Sequence, residues 1–159
     1  VQVLHETERM GTAGALSQMP EAARGEVLVV NADIMTKANF SAIESFHHRQ
    51  GHDATIAVAN YEVQVPYGVV RHTEDGIFQG IDEKPRQMFL AAAGIYLLSP
   101  QFTALVPPDR AMDMPELLNL GRSIGLRVGG FPIHEYWVDI GRPHDLENAM
   151  RDHIESERT

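Results

Sequence analysis

Glu26-Val27-Leu28-Val29-Val30-Asn31-Ala32-Asp33 is a continuous β-branched and leucine run that ends abruptly in polar residues. Apolar residues without alternation describe a strand covered on both faces, as in the sheet of an α/β domain. Asp33 then stands at the carboxyl end of that strand. On either side of this run, helix and strand signals alternate. Downstream, residues 40–50 carry apolar side chains at 40, 43 and 46, a helical spacing that Gly51 stops. Residues 54–61 read as a second buried strand. Residues 65–81 read as antiparallel strands around the Glu74-Asp75-Gly76 turn. Residues 93–98 form another strand, ended by Ser99-Pro100. Residues 114–124 have helical spacing and a Gly125 stop, 126–131 are a strand, and 143–155 are a helix with Pro143 in its first turn. Upstream, Val1-Gln2-Val3-Leu4 looks like a strand. Residues 11–19 look like a loop feeding a short helix, with Thr12 as N-cap and Pro20 beyond the end. The pattern predicts one α/β domain with a mostly parallel sheet, whose ligands sit at the carboxyl ends of the strands.

Composition bounds the function. The 159 residues are 43% hydrophobic and 22% charged, too apolar for a disordered chain and suited to one core. No apolar run approaches the ~20 residues that span a bilayer, and residues 1–8 lack the layout of a secretory signal. The expectation is a cytoplasmic protein without a membrane partner. The absence of cysteine removes disulfides and thiolate zinc sites. Thirteen Lys and Arg against 22 Asp and Glu give a net charge of -9, which argues against a nucleic-acid partner. A small anion remains compatible, because a local Lys or a divalent cation outweighs a distant net charge. The first residue is Val1, not Met, so the chain reads as a piece of a longer polypeptide.

Four segments hold candidate chemistry. Asp33 is placed to ligate a metal, although an Asp in that position also begins turns. Gly11-Thr12-Ala13-Gly14-Ala15 is a small-residue loop entering a helix. Its backbone can admit a base edge or a phosphate, or it is a tight turn with a Thr cap. In Glu83-Lys84-Pro85, the Lys can meet a phosphate and the Glu sugar hydroxyls, or the two make a surface ion pair. Trp137-Val138-Asp139-Ile140-Gly141-Arg142-Pro143 sets an Asp between two β-branched residues. A half-buried carboxylate there requires Arg142 or a cation as partner. Hydrated Mg²⁺ takes one or two carboxylates, so Asp33 and Asp139 suit each other. His47, His48 and His52 sit at a polar helix end, where solvated side chains are the expectation. Arg9, Arg71, Arg86 and Arg110 are expected on the surface.

The ordered series Gly11-Thr12-Ala13-Gly14, Asn31-Ala32-Asp33, Pro66-Tyr67-Gly68-Val69-Val70, Glu83-Lys84-Pro85, Ala93-Gly94-Ile95-Tyr96 and Trp137-Val138-Asp139-Ile140-Gly141 resembles the sugar-1-phosphate nucleotidyltransferases. Asp113-Met114-Pro115-Glu116-Leu117 and the ending around Tyr136 to Pro143 look most like the bacterial mannose- and heptose-1-phosphate guanylyltransferases. The resemblance implies a Rossmann-like fold, and a Mg²⁺-dependent reaction of a nucleoside triphosphate with a sugar-1-phosphate to give an NDP-sugar and pyrophosphate. It implies Gly11 and Thr12 at the base, and Asp33 and Asp139 on Mg²⁺. It places Gly68, Glu83, Lys84 and Gly94 at the sugar phosphate, with Asp33, Lys84 and Asp139 as the catalytic set.

Two departures stand out. The family's sugar-contacting Asn is replaced by Ala92, and its amino-terminal Gly-rich loop with an Arg and following Lys-Pro does not occur in the chain. Residues 1–159 are therefore expected to be the carboxyl-terminal majority of a single, amino-terminally truncated nucleotidyltransferase domain. Such a chain is expected to be inactive alone and to form homo-oligomers through uncovered apolar surface. A non-catalytic regulatory homologue that binds a nucleotide or sugar nucleotide is the competing expectation.

Overall fold

The computed structural model describes residues 3–20 and 25–141. Its centre is a four-stranded sheet of β1 (Val27–Val30), β3 (Ala54–Gln64), β6 (Arg86–Leu98) and β7 (Val128–Pro132), in the order β1-β6-β3-β7. β1 and β3 are both antiparallel to β6, and β7 is parallel to β3. Three of the four strands thus run one way, the predominance the sequence predicts, and β6 opposes them.

β6 shows why helices cover both faces. Side chains alternate along a strand. Tyr96 and Leu98 point into one cluster with Ala54, Phe102, Met114 and Leu117, while Ala93, Ile95 and Leu97 point into a second with Ile43, Ala57, Ala59 and Ile133. The first cluster is closed by α2 (Pro100–Thr103) and α3 (Met114–Ser123), the second by α1 (Phe40–Gln50). α1 has the predicted bounds because both ends are locally specified. The Asn39 side chain accepts the Ala42 N–H at 3.1 Å, and Gly51 takes the left-handed φ of 61° that ends the helix.

Several expectations are corrected. Among the described residues, β1 is covered on one face only. Val27 and Val29 are half-buried, but Leu28 and Val30 are 41% and 42% exposed. They lie opposite Leu97 and Ile95, on the face that α1 covers over β6 but not as far as the edge strand. Val3 and Leu4 are exposed and irregular, while Val1, Gln2 and the predicted helix 143–155 lie outside the described residues. The loop at 11–19 contains a 3-10 turn, Gly14–Gln18, that Thr12 does not cap.

β3 and β6 run past the sheet as a two-stranded arm, where Asn60 to Gln64 pair with Leu90 to Arg86. Beyond it, β4 (Gly68–His72) and β5 (Phe78–Glu83) form the predicted hairpin. A third small ladder joins β2 (Ile34–Thr36) to β8 (Trp137–Asp139). Among the described residues no helix is long and apolar enough to cross a membrane.

Candidate active site

The β2–β8 ladder unites the two aspartates. Ile34 pairs with Asp139, and the Ile140 N–H donates to the Asp33 carbonyl at 2.7 Å, so two distant chain segments are locked in register. Gly141 sits between the carboxylates. A Cβ there would lie 2.9 Å from Asp139 Oδ1 and 3.5 Å from Asp33 Oδ2. Both aspartates line a cleft of about 700 Å³, whose walls include Asn60, Tyr61, Ala92 and Trp137. The Trp137 ring is fixed by its Nε1–H, which donates to the Ala93 carbonyl at 2.8 Å.

Asp139 departs from the half-buried state expected between Val138 and Ile140. It is exposed, because β8 is a short strand paired on one side and the carboxylate turns to the cleft. Its Oδ1 accepts the Gly141 N–H at 2.8 Å. Arg142, the alternative partner, lies outside the described residues. Two water-accessible carboxylates converging on one small space are a hard-oxygen donor set. They fit Mg²⁺, which keeps several waters and takes few protein ligands.

The remaining predicted residues fall into three further places. Gly68 pairs with Glu83, and a Cβ on Gly68 would lie 3.1 Å from Glu83 Oε2. Lys84 follows with a φ of 46°, the one positive φ at a non-glycine residue among those described. Such a conformation costs roughly 1–2 kcal/mol and here turns the chain from β5 into β6. Gly68, Glu83 and Lys84 are all exposed at this junction. They do not line the two-aspartate cleft.

Gly11 and Thr12 dock on the start of α3. The Thr12 N–H donates to Asp113 Oδ1 at 3.0 Å, and Thr12 Oγ1 accepts the Met114 N–H at 2.8 Å. Thr12 therefore caps α3 in place of Asp113, whose side chain makes no cap bond. Gly11, at φ 77°, has no room for a side chain, since a Cβ would lie 2.6 Å from the Met112 carbonyl oxygen. Gly94 is also buried, at φ 71°, with Asn31 Nδ2 2.9 Å from where its Cβ would be. It supports the Asn31-Ala32-Asp33 turn from beneath, aided by the Asn31 N–H to Gly94 carbonyl bond at 2.8 Å.

Asn60 and Tyr61 were missed as cleft residues. Both lie inside the predicted strand 54–61, but a strand pattern alone does not say which distant segment shares a cleft with it. Asp113 lies in the Asp113–Leu117 motif, whose sequence does not show its contact with Thr12. The expected surface positions of Arg71, Arg86 and Arg110 hold, each ion-paired with an acidic neighbour.

The family model described as nucleotidyl transferase matches residues 1–156. The mannose-1-phosphate guanylyltransferase catalytic subunit beta of Drosophila melanogaster is 32% identical over 155 residues, which cover 92% of this chain and 41% of that protein. The mannose-1-phosphate guanyltransferase beta-A of Xenopus laevis is 31% identical over 169 residues, covering 99% of this chain and 45% of that protein. The chain thus spans less than half the length of these curated relatives. Among solved structures, HddC from Yersinia pseudotuberculosis superposes with a TM-score of 0.62 at 24% identity, over 92% of this chain and 64% of that one. A second HddC structure, complexed with GMP-PN, gives the same values. These neighbours share the Rossmann-like fold.

Proposed function

The chain belongs to the nucleotidyl transferase family, and from that premise we propose that the whole protein transfers a nucleotidyl group from a nucleoside triphosphate to a sugar-1-phosphate, releasing pyrophosphate. The observation that carries the reading is the convergence of Asp33 and Asp139 beside Gly141 in an open cleft. The names of the curated relatives favour GTP as donor and a mannose-like hexose phosphate as acceptor.

In this reading Asp33 and Asp139 hold Mg²⁺, which supplies charge neutralisation at the phosphates. A sugar-phosphate oxygen attacks the α-phosphorus while the bond to pyrophosphate breaks, and the protein contributes mainly positioning and electrostatics. Lys84 offsets charge on the attacking phosphate, Glu83 accepts sugar hydroxyls, and Gly68 leaves the backbone open beside them. Gly94 acts through Asn31, by fixing the turn that carries Asp33. Gly11 and Thr12 are the proposed base contacts. Of these site residues only Lys84 is cationic, too little charge to hold a triphosphate, so residues 1–159 are proposed not to turn over alone. We also propose that they form the larger, carboxyl-terminal part of a single catalytic domain.

One observation favours a second reading. Ala92 presents a methyl group to the cleft, where it offers a sugar no hydrogen bond. A homologue that binds a nucleotide or sugar nucleotide without turnover fits that feature. Pyrophosphate release by the full-length protein, with GTP and mannose-1-phosphate and then other triphosphates and hexose phosphates, separates the two. The expected result is Mg²⁺-dependent release that Asp33→Asn and Asp139→Asn each cut at least ~100-fold. Nucleotide binding by calorimetry without turnover on any pair supports the second reading.

A further inference from the structure

The three histidines at the end of α1 are not uniformly solvated as expected. His47 is 3% exposed, His48 is open to solvent and His52 lies between. Glu44 and His48, one turn apart on α1, share a helix face. Glu26, just before β1, reaches the same spot. Its Oε2 lies 2.8 Å from His48 Nε2, and its Oε1 lies 3.2 Å from His47 Nε2. One ligand atom from each of Glu26, Glu44 and His48 falls within 4.8 Å of the others.

We propose that Glu26, Glu44 and His48 form a binding site for a zinc-like divalent transition-metal ion. Donors 2.0–2.2 Å from one ion stand roughly 3–4 Å apart, so three atoms already this close need only small side-chain rotations. One imidazole nitrogen with two carboxylate oxygens is the borderline donor set that zinc accepts, and a water completes it. Mg²⁺ prefers oxygen ligands alone, which separates this site chemically from the Asp33–Asp139 pair.

A second observation is the buried chain behind Glu26. His47 Nδ1 lies 2.9 Å from Oγ1 of Thr55, which is fully buried on β3. With the Thr55 hydroxyl donating to Nδ1, the Nε2–H of His47 donates to Glu26 and fixes that carboxylate. Partners of this kind hold metal ligands in place and maintain their basicity. His47 and Thr55 are positioning residues in this account. The ion would tie the entry of the edge strand β1 to α1, beside the exposed Leu28 and Val30.

The test is calorimetric titration of ZnCl₂ into full-length protein stripped with EDTA, repeated with Co²⁺ and read by visible absorption. One Zn²⁺ is expected to be lost, or bound at least ~10-fold more weakly, in His48→Ala and in Glu44→Gln. His47→Gln should weaken binding with His48 and Glu44 intact, and the Mg²⁺ requirement of turnover should be unchanged in all three. Both direct-ligand variants alter exposed side chains, so circular dichroism should show the native fold. Unchanged zinc stoichiometry and affinity in His48→Ala and Glu44→Gln, or no saturable binding below ~100 μM in the parent protein, would overturn the proposal. Either result would leave Glu26 as an ion-pair partner of the two histidines.

Discussion

Gly141→Ala probes the candidate active site without removing a charge. The added Cβ would stand 2.9 Å from Asp139 Oδ1 and 3.5 Å from Asp33 Oδ2. A comfortable approach of carbon to oxygen is roughly 3.3 Å or more, so the Asp139 carboxylate must retreat by about 0.4 Å or rotate. Either movement disturbs the 2.8 Å bond from the Gly141 N–H and shifts the carboxylate within the cleft. Displacements approaching 1 Å in such constellations cost ~100-fold in rate, so a fall of ~10- to 100-fold in kcat is expected for the full-length protein. The Mg²⁺ concentration for half-maximal activity should rise as well. Stability should hardly change, because Gly141 is exposed and its backbone is outside the left-handed region. The assay is pyrophosphate release across a Mg²⁺ series, with thermal melts alongside. Wild-type turnover at wild-type Mg²⁺ dependence, in a variant that melts normally, would refute the convergence of these carboxylates on one functional ion.

Three other outcomes follow from the geometry. Thr12→Val removes the oxygen that accepts the Met114 N–H, and should cost about 1 kcal/mol in urea unfolding; an unchanged midpoint would remove Thr12 as the cap of α3. Gly121→Ala places a Cβ against the ring of Phe102, which is fully buried. Overpacking of about 1–3 kcal/mol opposes a helix-propensity gain of about 1 kcal/mol, so a lower Tm is expected and a higher one would show that the ring has room to move. The His52 imidazole should titrate below its ordinary 6.5, because burial and then the Arg127 guanidinium disfavour its protonated form, against the opposing pull of Asp53. The unfolded chain then binds the proton more readily, so this contribution to stability is intact above pH 6.5 and is lost as the pH falls from 6.5 toward the folded value. An NMR midpoint at or above 6.5 would contradict this, and Arg127→Gln should raise it.

The legible parts of the sequence were those whose cause is local. The residue 40–50 helix carries its own cap and stop, and the Asp-Gly turn at 75–76 specifies its hairpin, so both were readable from a few neighbouring side chains. The position of Asp33, just past the end of β1, was readable for a different reason. A strand end is a local event, and the rule that ligands gather there concerns architecture. Less legible were features decided by where one element stops relative to another. The apolar run 27–30 looks the same whether one or both faces are covered, and the outcome depends on α1 lying over β6 rather than reaching the sheet edge. Asp139 was judged by its β-branched neighbours, but its exposure comes from a short ladder with one partner strand.

The histidines show the same limit at the level of chemistry. His48 and His52 are four residues apart in sequence, but Gly51 ends α1 between them. The helix instead pairs Glu44 with His48, and Glu26, just before β1, completes the cluster. His47 is buried because Thr55, on the β3 face covered by α1, gives it a partner. A motif search along the chain weighs residues by separation in sequence, whereas both candidate ion sites join a strand terminus to a segment supplied by another element. Asp33 follows β1 and meets Asp139; Glu26 precedes β1 and meets α1. Small shifts of β1 in register would therefore alter both sites together. A Val29 substitution that disturbs its half-buried contact with the α2–α3 side should be read at both ions, and not at one alone.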